Sequence, residues 1–166
     1  MASKGDKPKS GDSFHPFDRL EPVRIADQVP ESEHLIERSE ADRLLNYVKQ
    51  EVGDSLNAVA VYNSSTIEYH SYTAERLAQY SQEELEALSE DRLLQIRRED
   101  TIQEDLYKLQ NYQYTIDGYQ NGIILRIRFS NSTGVIIVMH TCAEFTLPEF
   151  PNRLIEEVNL DIRSVT

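Results

Sequence analysis

Hydrophobic positions recur at helical spacing after residue 39 and predict an amphipathic helix. The apolar positions are Leu44, Leu45, Val48 and Val52. Ser39 to Asp42 has the form of a capping box, in which side-chain oxygens satisfy the free N–H groups of the first turn. Gly53 suits the left-handed residue that follows many helices. The pattern therefore predicts a helix from about residue 39 to residue 52.

Two further helices are predicted by the same reasoning. Residues 81–84 (Ser-Gln-Glu-Glu) form a second capping box, and the helix that follows is expected to turn its leucines inward. These leucines are Leu85, Leu88, Leu93 and Leu94. Near the end of the chain, residues 148–158 predict a closing helix with Leu154, Ile155 and Val158 on its apolar face.

Five segments have the pattern of strands. Residues 56–62 and 135–139 have apolar side chains in both alternating sets of positions, and so on both faces of a strand. This pattern is typical of central strands that are covered on both faces. Residues 66–72, 112–117 and 123–129 alternate between apolar and polar side chains. In residues 66–72 this alternation places Glu68 and His70 on a wetter face.

These elements predict an α+β fold with a five-stranded antiparallel sheet and helices on both faces. Short loops join neighbouring strands, so the neighbours run antiparallel. If the two apolar runs lie side by side at the centre, the strand order is 2-1-5-4-3.

The chain divides into an arm, a domain and a tail. Residues 1–34 contain four of the six prolines and no sustained period, so they are predicted to be a flexible, largely disordered arm. Residues 39–160 form a single predicted domain, and residues 161–166 are a tail. Within the arm, an apolar island could dock on the body or on a partner, or could be a weakly packed segment. Its docking candidates are Phe14, Phe17 and Leu20.

The order of elements over residues 39–160 resembles the roadblock/LC7 and profilin-like architecture. Residues 60–69, 74–81 and 104–107 are also similar to an uncharacterised family of small acidic proteins from halophilic archaea. The first resemblance implies a non-enzymatic module that pairs through an edge strand and a helix, and that regulates GTPases or assembles scaffolds. The second supplies no catalytic residues.

Charge narrows the range of partners. The formal net charge is -12, which opposes direct binding to nucleic-acid phosphates. Only five of the 17 basic residues are lysine, and three of those lie in the first nine positions. This composition suits high intracellular salt, although an ordinary acidic protein is the alternative. No segment has the length of apolar sequence that a membrane span or a signal peptide needs, so we expect a cytoplasmic protein.

Candidate chemistry is sparse. His140 and Cys142 are two potential metal ligands on one strand face, but a zinc site needs four, so strand-end packing is the favoured interpretation. The six glycines are scattered at turns and form no phosphate loop or dinucleotide motif. We therefore predict no catalytic residue, no metal and no cofactor.

Two sets of residues remain as candidates for an interface. Arg126 and Arg128 could bind a carboxylate or phosphate of a partner, or pair with a neighbouring acid such as Asp117. Tyrosines at the predicted sheet edge could form a half-exposed contact surface. They are Tyr112, Tyr114 and Tyr119. An uncovered edge strand also favours pairing with a second copy, so we predict a homodimer through the 111–129 hairpin or the adjoining helix.

The leading hypothesis is a non-catalytic regulatory or scaffold module that acts through protein–protein contacts and self-association with an unknown protein partner. The main alternative is a small-molecule sensor with a pocket between the sheet and the helices. A DNA-linked regulator and a small enzyme built from dispersed residues are less favoured.

Overall fold

A computed structural model describes residues 30–71, 81, 83–84, 87, 90–96 and 113–164. The helices are α1 (Arg38–Val52), α2 (residues 90–96) and α3 (Glu149–Val158). The strands are β1 (Leu56–Tyr62), β2 (Ile67–Ser71), β3 (Tyr114–Tyr119), β4 (Gly122–Arg128) and β5 (Gly134–Met139). Short 3₁₀ turns precede and follow α1, at Glu31–Glu33 and Gly53–Ser55. No described helix is long and apolar enough to cross a bilayer.

The strands form one antiparallel sheet in the order β2-β1-β5-β4-β3, which confirms the predicted topology. The two fully apolar strands are neighbours, with Tyr62 opposite Gly134 and Val59 opposite Ile137. Gly134 is required there, because a Cβ at this position would collide with the Tyr62 ring and with the carbonyl oxygen of Ile127. Central strands covered on both faces need apolar side chains in both directions, so the double apolar pattern placed them correctly.

Helices pack on both faces of the sheet, as predicted. On one face, α1 and α3 cover alternate residues of β1, β4 and β5 and form the larger part of the core. On the other face, Leu93 and Ile96 of α2 pack against Ala58, Ala60 and Tyr62 of β1. The sheet is therefore the middle of three layers.

The start of α1 differs from the prediction. The residue that caps the helix is Glu37, not Ser39, and the helix begins at Arg38. Glu37 and Glu40 form the capping box, with the Glu37 N–H donating to Glu40 Oε2 at 2.8 Å. The other oxygen of the Glu40 carboxylate accepts the N–H of Asp161 at 2.9 Å. Glu40 thus binds the C-terminal segment as well as the helix start, a distant contact that a local capping pattern does not contain.

The second capping box is confirmed. Ser81 N–H donates to Glu84 Oε2 at 2.8 Å, and Glu84 N–H donates to Ser81 Oγ at 3.2 Å. The prediction that Leu94 faces the interior was wrong, since 63% of it is exposed. Leu93 and Ile96 hold the inward positions three residues apart, and the residue after Leu93 is rotated about 100° around the helix. The side chains of Leu85 and Leu88 lie outside the described residues.

The hairpin between β3 and β4 is tighter than predicted. The predicted strands at residues 112–117 and 123–129 leave residues 118–122 for the turn, but Gly118 and Tyr119 belong to β3, and Tyr119 pairs with Gly122. Only Gln120 and Asn121 form the turn. Two residues are the commonest length for such a loop, and the glycines that suggested a longer turn lie in the strands.

The face of β2 that carries Glu68 and His70 is buried, so the prediction of a wetter face was wrong. Glu68 and His70 are only 9% and 3% exposed. The segment that precedes α1 covers them, and its Leu35 and Ile36 are part of the core together with Ile162. All three apolar residues lie outside the 39–160 range predicted for the domain. Those domain bounds stay a prediction, and residues 1–29 lie outside the described chain.

Candidate interaction surface and buried cluster

The candidate interaction surface is the β3 edge of the sheet. β3 ends the described sheet, so one side of its backbone does not pair with any described strand. None of its six residues is buried, and Ile116 and Tyr119 are 39% and 53% exposed. An edge strand with free N–H and C=O groups and exposed apolar side chains is a template for pairing with another chain.

The side chains of β3 alternate between the two faces of the sheet. Ile116 is opposite Leu125, which lies on the face covered by α1 and α3. Asp117 and Tyr119 lie on the other face, where Asp117 Oδ2 is 3.4 Å from Nη1 of Arg92 in α2. Leu94, two residues after Arg92, is a further exposed apolar residue of α2. The edge thus combines a backbone side that no described strand pairs with and exposed apolar groups on β3 and α2.

The predicted interface residues are not all at the surface. Tyr119 is exposed, whereas Tyr114 is half-buried and packs against the core. Arg126 is 4% exposed, and its Nε lies 3.4 Å from Oγ1 of Thr115 on the neighbouring strand. Arg128 holds the loop after β4, donating to Ser130 O and Asn131 Oδ1 at 2.9 Å each. The interface role of these residues stays a prediction.

The remaining site candidates from the sequence lie outside the described residues. They are Tyr112, Phe14, Phe17 and Leu20. Asp117 was proposed as the acid that pairs with the two arginines. In the structure it forms an ion pair with Arg92.

His140 and Cys142 form a turn at the end of β5. The N–H of Cys142 donates to Nδ1 of His140 at 3.3 Å, and Cys142 Sγ lies 3.5 Å from Oγ of Ser55. Among the described residues, no group of three or more His, Cys, Asp or Glu side chains is arranged to hold a metal ion. The contacts of the pair fit the strand-end interpretation.

A buried polar cluster on β2 was missed by the sequence reasoning. Its members are His34, Glu68 and His70. Oε2 of Glu68 accepts the N–H of Leu35 at 3.0 Å and is 3.3 Å from Nδ1 of His34. Oε1 of Glu68 is 2.7 Å from Nε2 of His70. The carboxylate therefore joins β2 to the segment before α1.

The electrostatics of Glu68 favour its ionised form. Burial by itself raises the pKa of this carboxyl group. Hydrogen bonds from His70 and from the Leu35 N–H, together with the charges of His70 and His34, outweigh burial and lower the pKa below its ordinary value. The signal available in the sequence was one histidine before the first helix and a glutamate and a second histidine on a strand. No local pattern predicts that residue 34 lies next to residue 68.

The chain also has a polar groove beside the start of α1. It has a volume of about 350 Å³ and lies between the first turns of the helix and the C-terminal segment. Its lining residues are Glu37, Ser39, Glu40, Arg43, Asp161 and Arg163. This groove is not the pocket between sheet and helices that the sensor hypothesis expects.

The amino-acid sequence matches the model of one protein family. A model described as "Domain of unknown function (DUF7522)" matches residues 42–159. The chain belongs to this family. No curated protein matches the DUF7522 chain.

Two solved structures of low sequence identity are similar to the DUF7522 chain. The gliding protein MglB from Thermus thermophilus is 13% identical, with a TM-score of 0.50 over 78% of this chain and 94% of MglB. MglC from Myxococcus xanthus is 12% identical, with a TM-score of 0.41 over 73% of this chain and 91% of MglC. The five-stranded antiparallel sheet of the DUF7522 chain is thus roadblock-like, as its element order predicted.

Proposed function

We propose that this protein is a non-catalytic, cytoplasmic regulatory or scaffold module that forms a homodimer through β3. The single observation that carries the proposal is the exposure of β3 in a sheet whose other terminal strand is almost entirely buried. The roadblock resemblance implies the same class of role, because such modules pair through an edge strand and a helix.

Pairing of two β3 strands would satisfy the free backbone groups of both copies. An antiparallel contact about a two-fold axis continues the sheet from one copy into the other, and each copy offers the same patch. Ile116 and Tyr119 would become buried, and α2, whose Arg92 lies 3.4 Å from Asp117 of β3, adds the exposed Leu94 as further apolar surface. The ion pair with Arg92 reduces the repulsion between the Asp117 carboxylates of the two copies.

The net charge makes the proposed dimer sensitive to salt. Each copy carries a formal charge of -12, so two copies repel each other at low ionic strength. Salt screens this repulsion over about 8 Å at 0.15 M and about 3 Å at 1 M. Association should therefore strengthen between 0.15 and 2 M salt, which is also the behaviour expected of a protein from a halophile.

Light scattering tests the proposal. The mass of the wild-type protein should rise from that of a monomer towards that of a dimer as salt increases from 0.15 to 2 M. Ile116→Lys places a charge on the open edge and should keep the protein monomeric at 2 M. Leu147→Lys is the matched control, because Leu147 is 43% exposed and lies outside β3. A dimer that survives Ile116→Lys, or a monomer at every salt concentration, contradicts the proposal.

A small-molecule sensor is the second candidate, with the polar groove beside α1 as its site in place of a pocket between the sheet and the helices. A thermal-shift screen against nucleotides and metabolites separates it from a scaffold, since a ligand at 100 times its Kd stabilises the fold by about 2.7 kcal/mol. Loss of that shift in Arg43→Ala would place the ligand in the groove. Absence of any shift, together with capture of a protein partner at the native salt concentration, supports the scaffold.

A further inference from the structure

The segment before α1 is held by two buried apolar side chains and by polar contacts to the C-terminal segment and to β2. We call residues 32–36 the strap. Leu35 and Ile36 bury their side chains in the core. The Leu35 carbonyl oxygen accepts the N–H of Arg163 at 2.8 Å, and Ser32 O accepts from Arg163 Nη1 at 3.1 Å. The strap therefore lies between the C-terminal segment and β2.

On the β2 side, one carboxylate holds the strap. The Leu35 N–H is the donor to Glu68 Oε2, and His34 of the strap lies against the same oxygen. His70 approaches the other oxygen. The β1–β2 pairing has a β-bulge at His70, because Val59 pairs with Ser71 and the next residue, Ala60, pairs with Tyr69. Such a bulge re-aims side chains, here placing an imidazole beside the carboxylate.

We propose that the His34–Glu68–His70 cluster is an acid-released latch that holds the strap on β2. With Glu68 ionised, Oε2 accepts the Leu35 N–H, the carboxylate lies within 3.3 Å of both imidazoles, and the strap stays on the sheet. When Glu68 takes up a proton, it loses the charge that its neighbours stabilise, and the hold on the Leu35 N–H weakens. The groups whose charges act on Glu68 are His70 from β2 and His34 from the strap. The latch is separate from the β3 edge and does not depend on the proposed dimer.

The two imidazoles set the pH at which the latch opens. Both favour the ionised carboxylate, so they delay its protonation to lower pH. Removing either imidazole should therefore move the release of the strap to higher pH, nearer the ordinary range of a glutamate. If the cluster had only a structural role, removing an imidazole would lower the stability of the fold. It would not change the pH midpoint at which the strap alone is released.

Hydrogen exchange measured residue by residue, and corrected for the intrinsic rate at each pH, tests the latch between pH 3 and pH 7. In the wild type, protection of the Leu35 and Ile36 amides should fall on acidification while the amides of β5 stay protected. In His70→Asn the midpoint of this loss should move to higher pH. In Glu68→Gln the protection of the strap should be reduced already at pH 7 and should not vary with pH.

Two further variants keep the test decisive. His34→Asn, at a residue whose side chain is 17% exposed, serves where the buried variants fail to fold, and it should also move the midpoint upward. Glu156→Gln, at an exposed position of α3, is the matched control and should leave the midpoint unchanged. Simultaneous loss of protection in the strap and β5, or a midpoint that is the same in wild type, His34→Asn and His70→Asn, would overturn the latch.

Discussion

The two terminal strands of the sheet differ in what covers them. β2 has four of its five residues buried, whereas β3 has none of six. α1, the strap and the C-terminal segment close the β2 side, and polar side chains there have specific partners. β3 keeps exposed apolar side chains and joins the helical layer through a partly exposed ion pair. Within the described part of the chain, the sheet is therefore covered at its β2 end and exposed at its β3 end.

The largest expected difference between the two ends follows from truncating one isoleucine at each. Ile36 is 2% exposed, and Ile36→Ala should lower the free energy of unfolding by about 2–5 kcal/mol because it leaves a cavity. Ile116→Ala at the open edge should cost about 0.5 kcal/mol or less. Urea unfolding at a salt concentration where the protein is monomeric measures both. Equal losses would mean that the β3 edge is packed within the monomer.

The next largest loss of stability is expected at Asn63, whose side chain links the β1–β2 turn to the C-terminal segment. Its Oδ1 accepts the N–H groups of Ser65 and Thr66, and its Nδ2 donates to Arg163 O at 3.0 Å. Asn63→Ala should cost about 1–3 kcal/mol, since three part-buried hydrogen bonds to backbone groups are lost.

Asn131→Ala is the control for that variant, because Asn131 is exposed and accepts a hydrogen bond from Arg128. Thermal unfolding of both variants gives the comparison. If Asn131→Ala proved as costly as Asn63→Ala, the closure of the β2 side would not rest on Asn63.

A pH dependence of stability should come from Glu68. Because the pKa of Glu68 is lower in the folded than in the unfolded chain, its carboxylate stabilises the fold above about pH 4.5. This contribution is lost as the pH falls through the lowered folded value. Urea titrations from pH 7 to pH 3 should therefore show a shallower decline for Glu68→Gln than for the wild type. Parallel curves would mean that Glu68 does not gain its charge stabilisation on folding.

The smallest effect is expected at the open edge. Arg92 and Asp117 have side chains that are 20% and 33% exposed, with 3.4 Å between Nη1 and Oδ2. A double-mutant cycle with Arg92→Ala and Asp117→Ala should give a coupling energy of about 0.2–1 kcal/mol, and less at high salt. A coupling of several kcal/mol would show that this pair is part of a closed core rather than of an open surface.

The same contrast explains how far the sequence could predict the structure. The strand order could be predicted because the hydrophobic pattern of a strand shows whether one or both of its faces are covered. β1 and β5 are apolar on both faces and were therefore correctly placed side by side at the centre. The Ser81 capping box is a local contact and was also found. The predicted start of α1 was wrong because the carboxylate of Glu40 also accepts the N–H of Asp161, 121 residues away.

The β2 cluster could not be predicted for a related reason. An alternating strand tells which side chains share a face, but not whether another segment covers that face. Leu35, which donates its N–H to Glu68, is 33 residues earlier in the chain, in a stretch whose composition resembles an arm. Similarly, Arg126 alternates like an exposed residue but is buried, because its burial depends on tertiary packing.

A distance between two copies of the chain tests the central claim most directly. Gly118 of β3 has open space for a side chain, so Gly118→Cys in a Cys142→Ser background can carry a spin label. If two β3 strands pair, labels on the two copies should lie within about 20 Å at 2 M salt, since neighbouring strands are about 4.8 Å apart. Labels at Ser65→Cys, beyond β1, should be about 40 Å apart or more on the same spacing. Short distances at Ser65, or no coupling at Gly118 in a dimer, would contradict pairing through β3.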